Sequence, residues 1–236
     1  ALPAGRRRIT FGLSVRPDVG ASELSLGHAG SRFRLVTPAG TVPVELPLLG
    51  EFNVSNALAA AGCALALGHP LDQIGAGLSR APQVPGRMEQ IVTDPAVVLR
   101  DYAHTPDALE RALQALRPLT PGRLIVVFGC GGERDRGKRP LMGRIAATLA
   151  DLAVVTSDNP RTEDPDRIID EIEQGMSGHD HARRADRREA ITVALAGAGH
   201  GDTVLLAGKG HEDYQVVGRA KLPFDERAIV REILDR

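Results

Sequence analysis

The chain has 236 residues, enough for one large domain or two ordinary ones, and 42% of them are hydrophobic, which is ample core material. Lys and Arg number 29 against 30 Asp and Glu, so no overall field draws nucleic acid or an anionic membrane, and 3% aromatics with no Trp leave little to stack on bases. No apolar run reaches membrane-spanning length, and two distant cysteines, Cys63 and Cys130, read as reduced thiols of a cytoplasmic protein.

The chain opens ALPAGRRRITFGLS, with neither Met nor a signal-peptide hydrophobic stretch, and a truncated chain is the expectation. Arg6, Arg7 and Arg8 read as the solvated start of a strand rather than a phosphate patch. Residues 1–50 are β-rich: RRITFGLS, FRLVTP and TVPVELPL are predicted strands, the last alternating with a period of two. NVSNALAAAGCALAL and LDQIGAGLSRA are predicted helices. Two prolines and a glycine in PQVPGRMEQ then mark a boundary near Pro85, giving domains 1–85 and 86–236.

Beyond it strand and helix alternate. VVLRDYA leads into TPDALERALQALRPL, where Thr105 caps, Pro106 takes the first helical position and Asp107 pairs with Arg111. LIVVFGC leads into RPLMGRIAATLA, and LAVVTSDN into a helix capped by Asp164 with Pro165 following. After DRREAITVALAGA come the strand TVLLAG, a hairpin QVVGRAKLPF and a helix capped by Asp225. Strands apolar on consecutive residues are buried on both faces. The predicted fold is therefore α/β, a Rossmann-like, doubly wound parallel sheet with helices on both faces.

In such a sheet ligands bind outside the carboxyl ends of the strands, which singles out DYAHTPD, GCGGERDRGKR, SDNPRTEDP and GKGHEDY. Gly132–Arg139 matches the P-loop template G-x-x-x-x-G-K-[ST] except at Arg139, which has no oxygen for magnesium, while Glu133 and Asp135 would press carboxylates on a polyphosphate. The P-loop reading fails, and so does the dinucleotide fingerprint, because Arg134 stands where the third glycine belongs. Two readings stay open: Arg134, Arg136, Lys138 and Arg139 face an anionic substrate, or they form a solvated loop with internal Arg–Asp pairs.

In SDNPRTEDP, Asp158 and Asn159 end the strand, Pro160 stiffens the turn, and Arg161 offers a planar fork to a carboxylate. In GKGHEDY, Gly208 allows close backbone approach and Glu212 can accept from an ammonium group. Opposite charges on Arg161 and Glu212 suit a zwitterionic amino acid end. Asp101, at another strand end, is placed to accept from ribose hydroxyls, and His104 is a candidate ligand or acid beside its structural alternative. The H-D-H of His179–His181 lies between two helices without a third candidate and reads as a polar loop, so no metal site is expected; no G-x-S-x-G is present.

Across nearly its whole length, through GEFNVSNALAA, VPGRME, DYAHTPD, VFGCGGERDRGKRPLM, TSDNPR and AGKGHEDYQ, the chain resembles the C-terminal part of a Mur ligase of the kind that adds meso-2,6-diaminopimelate to UDP-N-acetylmuramoyl-L-alanyl-D-glutamate in peptidoglycan synthesis. The resemblance implies that residues 1–85 are the remnant of a central ATPase domain and 86–236 the substrate-binding domain. It implies ATP and Mg2+ as cofactors, and an acyl phosphate on the glutamate side chain that the amino acid's amine attacks. Asn53 and Asn56 would meet adenine or ribose, and Arg87, Asp101 and His104 would bind nucleotide. Arg134, Asn159 and Arg161, in the turn formed by Asp158 and Pro160, would surround the distal carboxylate of the amino acid; Gly208 and Glu212 would receive its distal ammonium. Relatives that add lysine lack the arginine of DNPR, and leaving a buried guanidinium unpaired makes discrimination of about 10⁴-fold reachable.

The family's ATP loop, its carbamylated lysine and the glutamate that holds magnesium all precede the matching region. No catalytic residue is therefore expected within this chain, and the polypeptide alone is expected not to ligate. A cytoplasmic monomer without nucleic-acid or membrane partners is the expectation. The alternatives are an amino-acid-binding module without catalysis, and a related ligase of the cyanophycin or folylpolyglutamate type.

Overall fold

A computed structural model describes residues 8–14 and 17–235, and the chain divides into two units, residues 1–83 and 84–236, with the break inside the PQVPGRMEQ stretch. In the first unit, β1 (Phe11–Gly12), β2 (Val19–Gly27), β3 (Gly30–Thr37) and β4 (Gly40–Leu46) form a sheet in chain order. The β1–β2 pair is parallel and the other pairs are antiparallel. Along β3, Ser31, Phe33, Leu35 and Thr37 are buried while Arg32 and Val36 are exposed, the alternation an extended backbone imposes. Helices α1 (Glu51–Ala66) and α2 (Leu71–Ser79) cover the buried face, where Val54, Leu58 and Ile74 meet Phe33, Leu35, Val44 and Leu46.

Two expectations for this unit change. Of the predicted first strand, Arg6 and Arg7 lie outside the described residues, Arg8 is exposed, and only Phe11–Gly12 pairs. Strand β2 was not expected, because VGASELSLG carries few β-branched or aromatic residues. Its neighbours hold it by main-chain pairing, and its register slips between Ser22 and Ser25.

In the second unit, β5 (Glu89–Val92), β6 (Val97–Asp101), β7 (Leu124–Phe128), β8 (Leu152–Val155), β9 (Ala182–Arg183) and β10 (Thr203–Ala207) form a six-stranded sheet in the order β5-β6-β10-β7-β8-β9. The pairs from β6 to β9 are parallel. The all-parallel expectation is corrected at one edge: β5 runs antiparallel to β6, because residues 93–96 are too few for a crossover. Every residue of the central strands β7 and β10 is buried. Val98, Ile125, Val127, Val204 and Leu206 pack against α6 (Arg187–Ala196) and α7 (Glu226–Leu234) through Ile191, Ala194, Ile229 and Val230. The intervening Leu99, Val126, Phe128 and Leu205 are equally buried and turn to the opposite face. That face carries α3 (Pro106–Leu116), α4 (Lys138–Leu149) and α5 (Pro165–Glu173), packed side by side.

A hairpin of β11 (Tyr214–Val217) and β12 (Ala220–Pro223) follows β10. His179–His181 lead into β9 rather than forming a plain interhelical loop, and His181 Nε2 lies 3.0 Å from Glu173 Oε1. Among the described residues no group of three His, Cys, Asp or Glu could hold a metal ion, and no helix is long and apolar enough to cross a membrane.

Candidate functional site

Because β6, β10, β7 and β8 are parallel, their carboxyl ends share one edge of the sheet, and the four loops that leave them meet there. The loop after β8 centres on Asn159. Strand β8 stops at Val155, so Asp158, Asn159 and Pro160 lie beyond it rather than ending it, and all three are buried. The Asn159 side chain is fixed from two sides. Its Oδ1 accepts from Val216 N at 2.9 Å and from Lys209 Nζ at 3.2 Å, and its Nδ2 donates to Glu212 Oε2 at 2.9 Å. One Nδ2 hydrogen remains for a ligand.

Arg161 follows with φ 53°, a left-handed backbone rarely adopted by a long side chain. The hairpin enforces it: Arg161 N donates to Val216 O at 3.0 Å and Gly218 N donates to Arg161 O at 2.7 Å. Its Nη1 donates to Gly132 O at 2.8 Å and Asn159 O at 3.3 Å. Nη2 and Nε make no hydrogen bond among the described residues, so one edge of the fork stays open. A Cβ placed on Gly131 would lie 3.0 Å from Arg161 Nη1 and 3.6 Å from Arg134 Cγ, so both arginines flank one point. The exposed Arg134 donates to Glu133 O at 3.3 Å. The Arg161 guanidinium thus meets the main-chain oxygen of Asn159, and the Glu212 carboxylate meets its side-chain amide.

Lys209, which the sequence reading passed over, sits beneath them. Its side chain is 0% exposed, with Nζ 3.4 Å from Asp158 Oδ1 and 3.6 Å from Glu212 Oε2. Burial pulls its ammonium below the ordinary lysine range, and Asp158 opposes that fall. A lysine set between two glycines after a buried strand was the available signal. Gly208 links this cluster to β6, its N donating to Asp101 O at 3.0 Å.

A second group gathers around Tyr102. The Arg87 guanidinium lies 5.2 Å from the Tyr102 ring centroid, and the His104 and His211 rings lie 4.4 Å and 5.6 Å from it. Asp101 Oδ2 accepts from Met88 N at 2.8 Å; burial pushes its carboxyl above the usual range, against the pull of that bond and of Arg87. His104 Nδ1 lies 2.8 Å from Tyr102 O, and Lys138 Nζ donates to His104 O at 2.7 Å. Gly86 ties this group to the loop after β10. It has φ 69°, and a Cβ there would meet His211 N at 2.1 Å, so only glycine fits. Arg87, Asp101 and His104 are thus brought together. Asn53 and Asn56 belong to the first unit, at the start of α1, where Asn53 Nδ2 donates to Leu49 O at 2.8 Å and Asn56 Nδ2 to Asn53 Oδ1 at 3.3 Å.

The loop GERDRGKR spends its main chain internally. Gly132 N donates to Asn159 O at 2.9 Å, Glu133 N to Glu163 and Gly137 N to Asp135 Oδ1 at 2.9 Å, so it is not a cradle for a polyphosphate. Its four cations divide. Arg139 is wholly buried, donating to Glu163 and, at 2.8 Å, to Glu171; Arg136 pairs with Glu171. A shared substrate-facing role is therefore corrected for these two: they pin α4 to α5, using glutamates rather than the aspartates of the alternative reading. Lys138 joins the Tyr102 group, and Arg134 is exposed, its Cγ beside Gly131 where Arg161 Nη1 also lies.

The family model for the Mur ligase, glutamate ligase domain, matches residues 86–210, and that for the Mur ligase middle domain matches residues 3–64. A Gloeobacter violaceus protein named UDP-N-acetylmuramoyl-L-alanyl-D-glutamate–2,6-diaminopimelate ligase is 51% identical over 230 residues, covering 96% of this chain and 47% of its own. A protein of the same name from Thermosynechococcus vestitus is 51% identical over 229 residues, covering 95% and 46%. A solved structure of a ligase of that name superposes with a TM-score of 0.74 at 43% identity, covering 99% of this chain and 48% of the other. The chain spans about half the length of the curated relatives it matches.

Proposed function

This chain belongs to the Mur ligase family, and from that premise we propose that it forms the amino-acid-binding part of an ATP-dependent ligase that adds meso-2,6-diaminopimelate to UDP-N-acetylmuramoyl-L-alanyl-D-glutamate in peptidoglycan synthesis. The observation that carries this reading is the placement of Asn159 between Arg161 and Glu212. The far end of diaminopimelate bears a carboxylate and an ammonium on one carbon, so it needs donors and an acceptor a few ångströms apart. The open edge of Arg161, with Arg134 beside it, suits the carboxylate. Glu212, steadied by Asn159, suits the ammonium, and Asp158, Pro160 and Gly208 shape the turn and backbone around them.

Bound ATP supplies the phosphoryl group that activates the acceptor carboxylate. The Tyr102 group, with Arg87, Asp101, His104 and Lys138, offers cations and a ring face to a nucleotide. Mg2+ is not assigned to any of the described residues. The part played by this chain is to bind the amino acid, hold its far end and so aim its near amine.

Calorimetric titration of meso-diaminopimelate and L-lysine into the chain tests the reading. Diaminopimelate is expected to bind far more tightly than lysine, and Arg161→Ala is expected to weaken it by roughly 100-fold by removing a charged two-point contact. Equal binding of the two amino acids, or an Arg161→Ala chain as tight as the parent, contradicts it.

A further inference from the structure

Resting on that reading, we propose that Lys209 is a positioning residue for selectivity: its buried ammonium is the internal counter-cation that lets the carboxylates of Asp158 and Glu212 stand beside an incoming distal carboxylate. The ligand end to be recognised carries both signs, and the protein has placed two carboxylates close to where the negative group must sit. Left to themselves, Asp158 and Glu212 would repel it, and burial would strengthen that repulsion. Lys209 answers both at once, at 3.4 Å and 3.6 Å, and donates in addition to Asn159 Oδ1 at 3.2 Å.

The side chain is fully enclosed, so a ligand does not touch it; it acts through its neighbours. Next to it, Arg187 pairs with Glu226 at 2.8 Å, one charge of each sign, and the Phe224 ring centroid lies 5.9 Å from Nζ. The carboxylates within 4 Å of the ammonium are those of Asp158 and Glu212, so its charge is set chiefly against the floor of the site. The balance is specific to the carboxylate. A ligand whose far end is only an ammonium gains from bare carboxylates, so removing Lys209 harms diaminopimelate and spares lysine. Damage to the fold harms both.

The test is calorimetric titration of the chain and its Lys209→Met variant with meso-diaminopimelate, 2-aminopimelate, which keeps the distal carboxylate without the ammonium, and L-lysine. The variant is expected to lose roughly 10- to 100-fold for the two carboxylate-bearing ligands and to hold lysine unchanged or tighter. A parallel fall for all three ligands, or no fall for diaminopimelate, overturns the inference while leaving the functional reading intact. Binding of none of the three by the parent chain overturns the functional reading and the inference with it. Should Lys209→Met fail to fold, the double replacement Asp158→Asn, Lys209→Met removes one charge of each sign. It is expected to retain the preference for diaminopimelate over lysine, and loss of that preference overturns the inference.

Discussion

Arg161 is held in a left-handed backbone by main-chain bonds to Val216 and Gly218, a conformation that costs of order 1 kcal/mol or more and persists because the hairpin imposes it. Asn159, Arg161 and Glu212 were legible as site candidates because polar residues at the carboxyl ends of buried strands have few structural duties. Lys209, Arg100 and Arg187 were not, since a lone cation in a string of letters looks solvated. Arg100 is in fact buried against Glu89 at 2.6 Å, and Arg187 against Glu226. The two cysteines diverge at this scale too. Cys130 is buried, which pushes its thiol up to about 12, whereas Cys63 is exposed. Iodoacetamide at pH 8 is expected to alkylate Cys63 alone in the folded chain, with mass spectrometry of peptides as the readout; modification of Cys130 at a similar rate would contradict its placement.

At the scale of elements, the helix starts were readable because capping is local chemistry. Thr105 Oγ1 accepts from Ala108 N at 3.3 Å, and Asp164 and Asp225 accept from Asp166 N and Arg227 N. Asp186, which caps α6, accepts twice, at 2.7 Å and 3.1 Å. In urea titrations Asp186→Ala is expected to cost about 2 kcal/mol and Thr105→Ala about 0.5–1 kcal/mol, following the number and length of the bonds lost. Strands β2 and β9 were not readable, because their neighbours rather than their own side chains hold them. The link between α4 and α5 combines close packing, Gly143 lying against Ile172 O, with ion pairs from Arg136 and Arg139. The hydrogen bond from Arg136 holds the Glu171 carboxyl at about 2 against an ordinary 4.5, with burial opposing and Arg139 assisting. A depressed carboxylate stabilises the fold above its unfolded value and ceases to do so as pH falls through the folded one. Melting temperature is therefore expected to fall between pH 4.5 and pH 2, and Glu171→Gln to flatten that fall; an unchanged pH profile in the variant would show that the pairing contributes nothing.

At the scale of the whole molecule, the sequence rhythm specified a doubly wound sheet because uninterrupted apolar runs such as LIVVF and TVLLA leave no solvent face. Strand order was not in that rhythm: β10, the last strand of the sheet in the chain, inserts between β6 and β7. That insertion is what sets the loop carrying Lys209 and Glu212 beside the loop carrying Asn159 and Arg161. The most direct measurement is a crystal structure of this chain with meso-diaminopimelate. The account predicts the distal carboxylate on the open edge of the Arg161 guanidinium and the distal ammonium about 3 Å from Glu212. Diaminopimelate bound away from both residues, or bound with its two ends reversed, would contradict it.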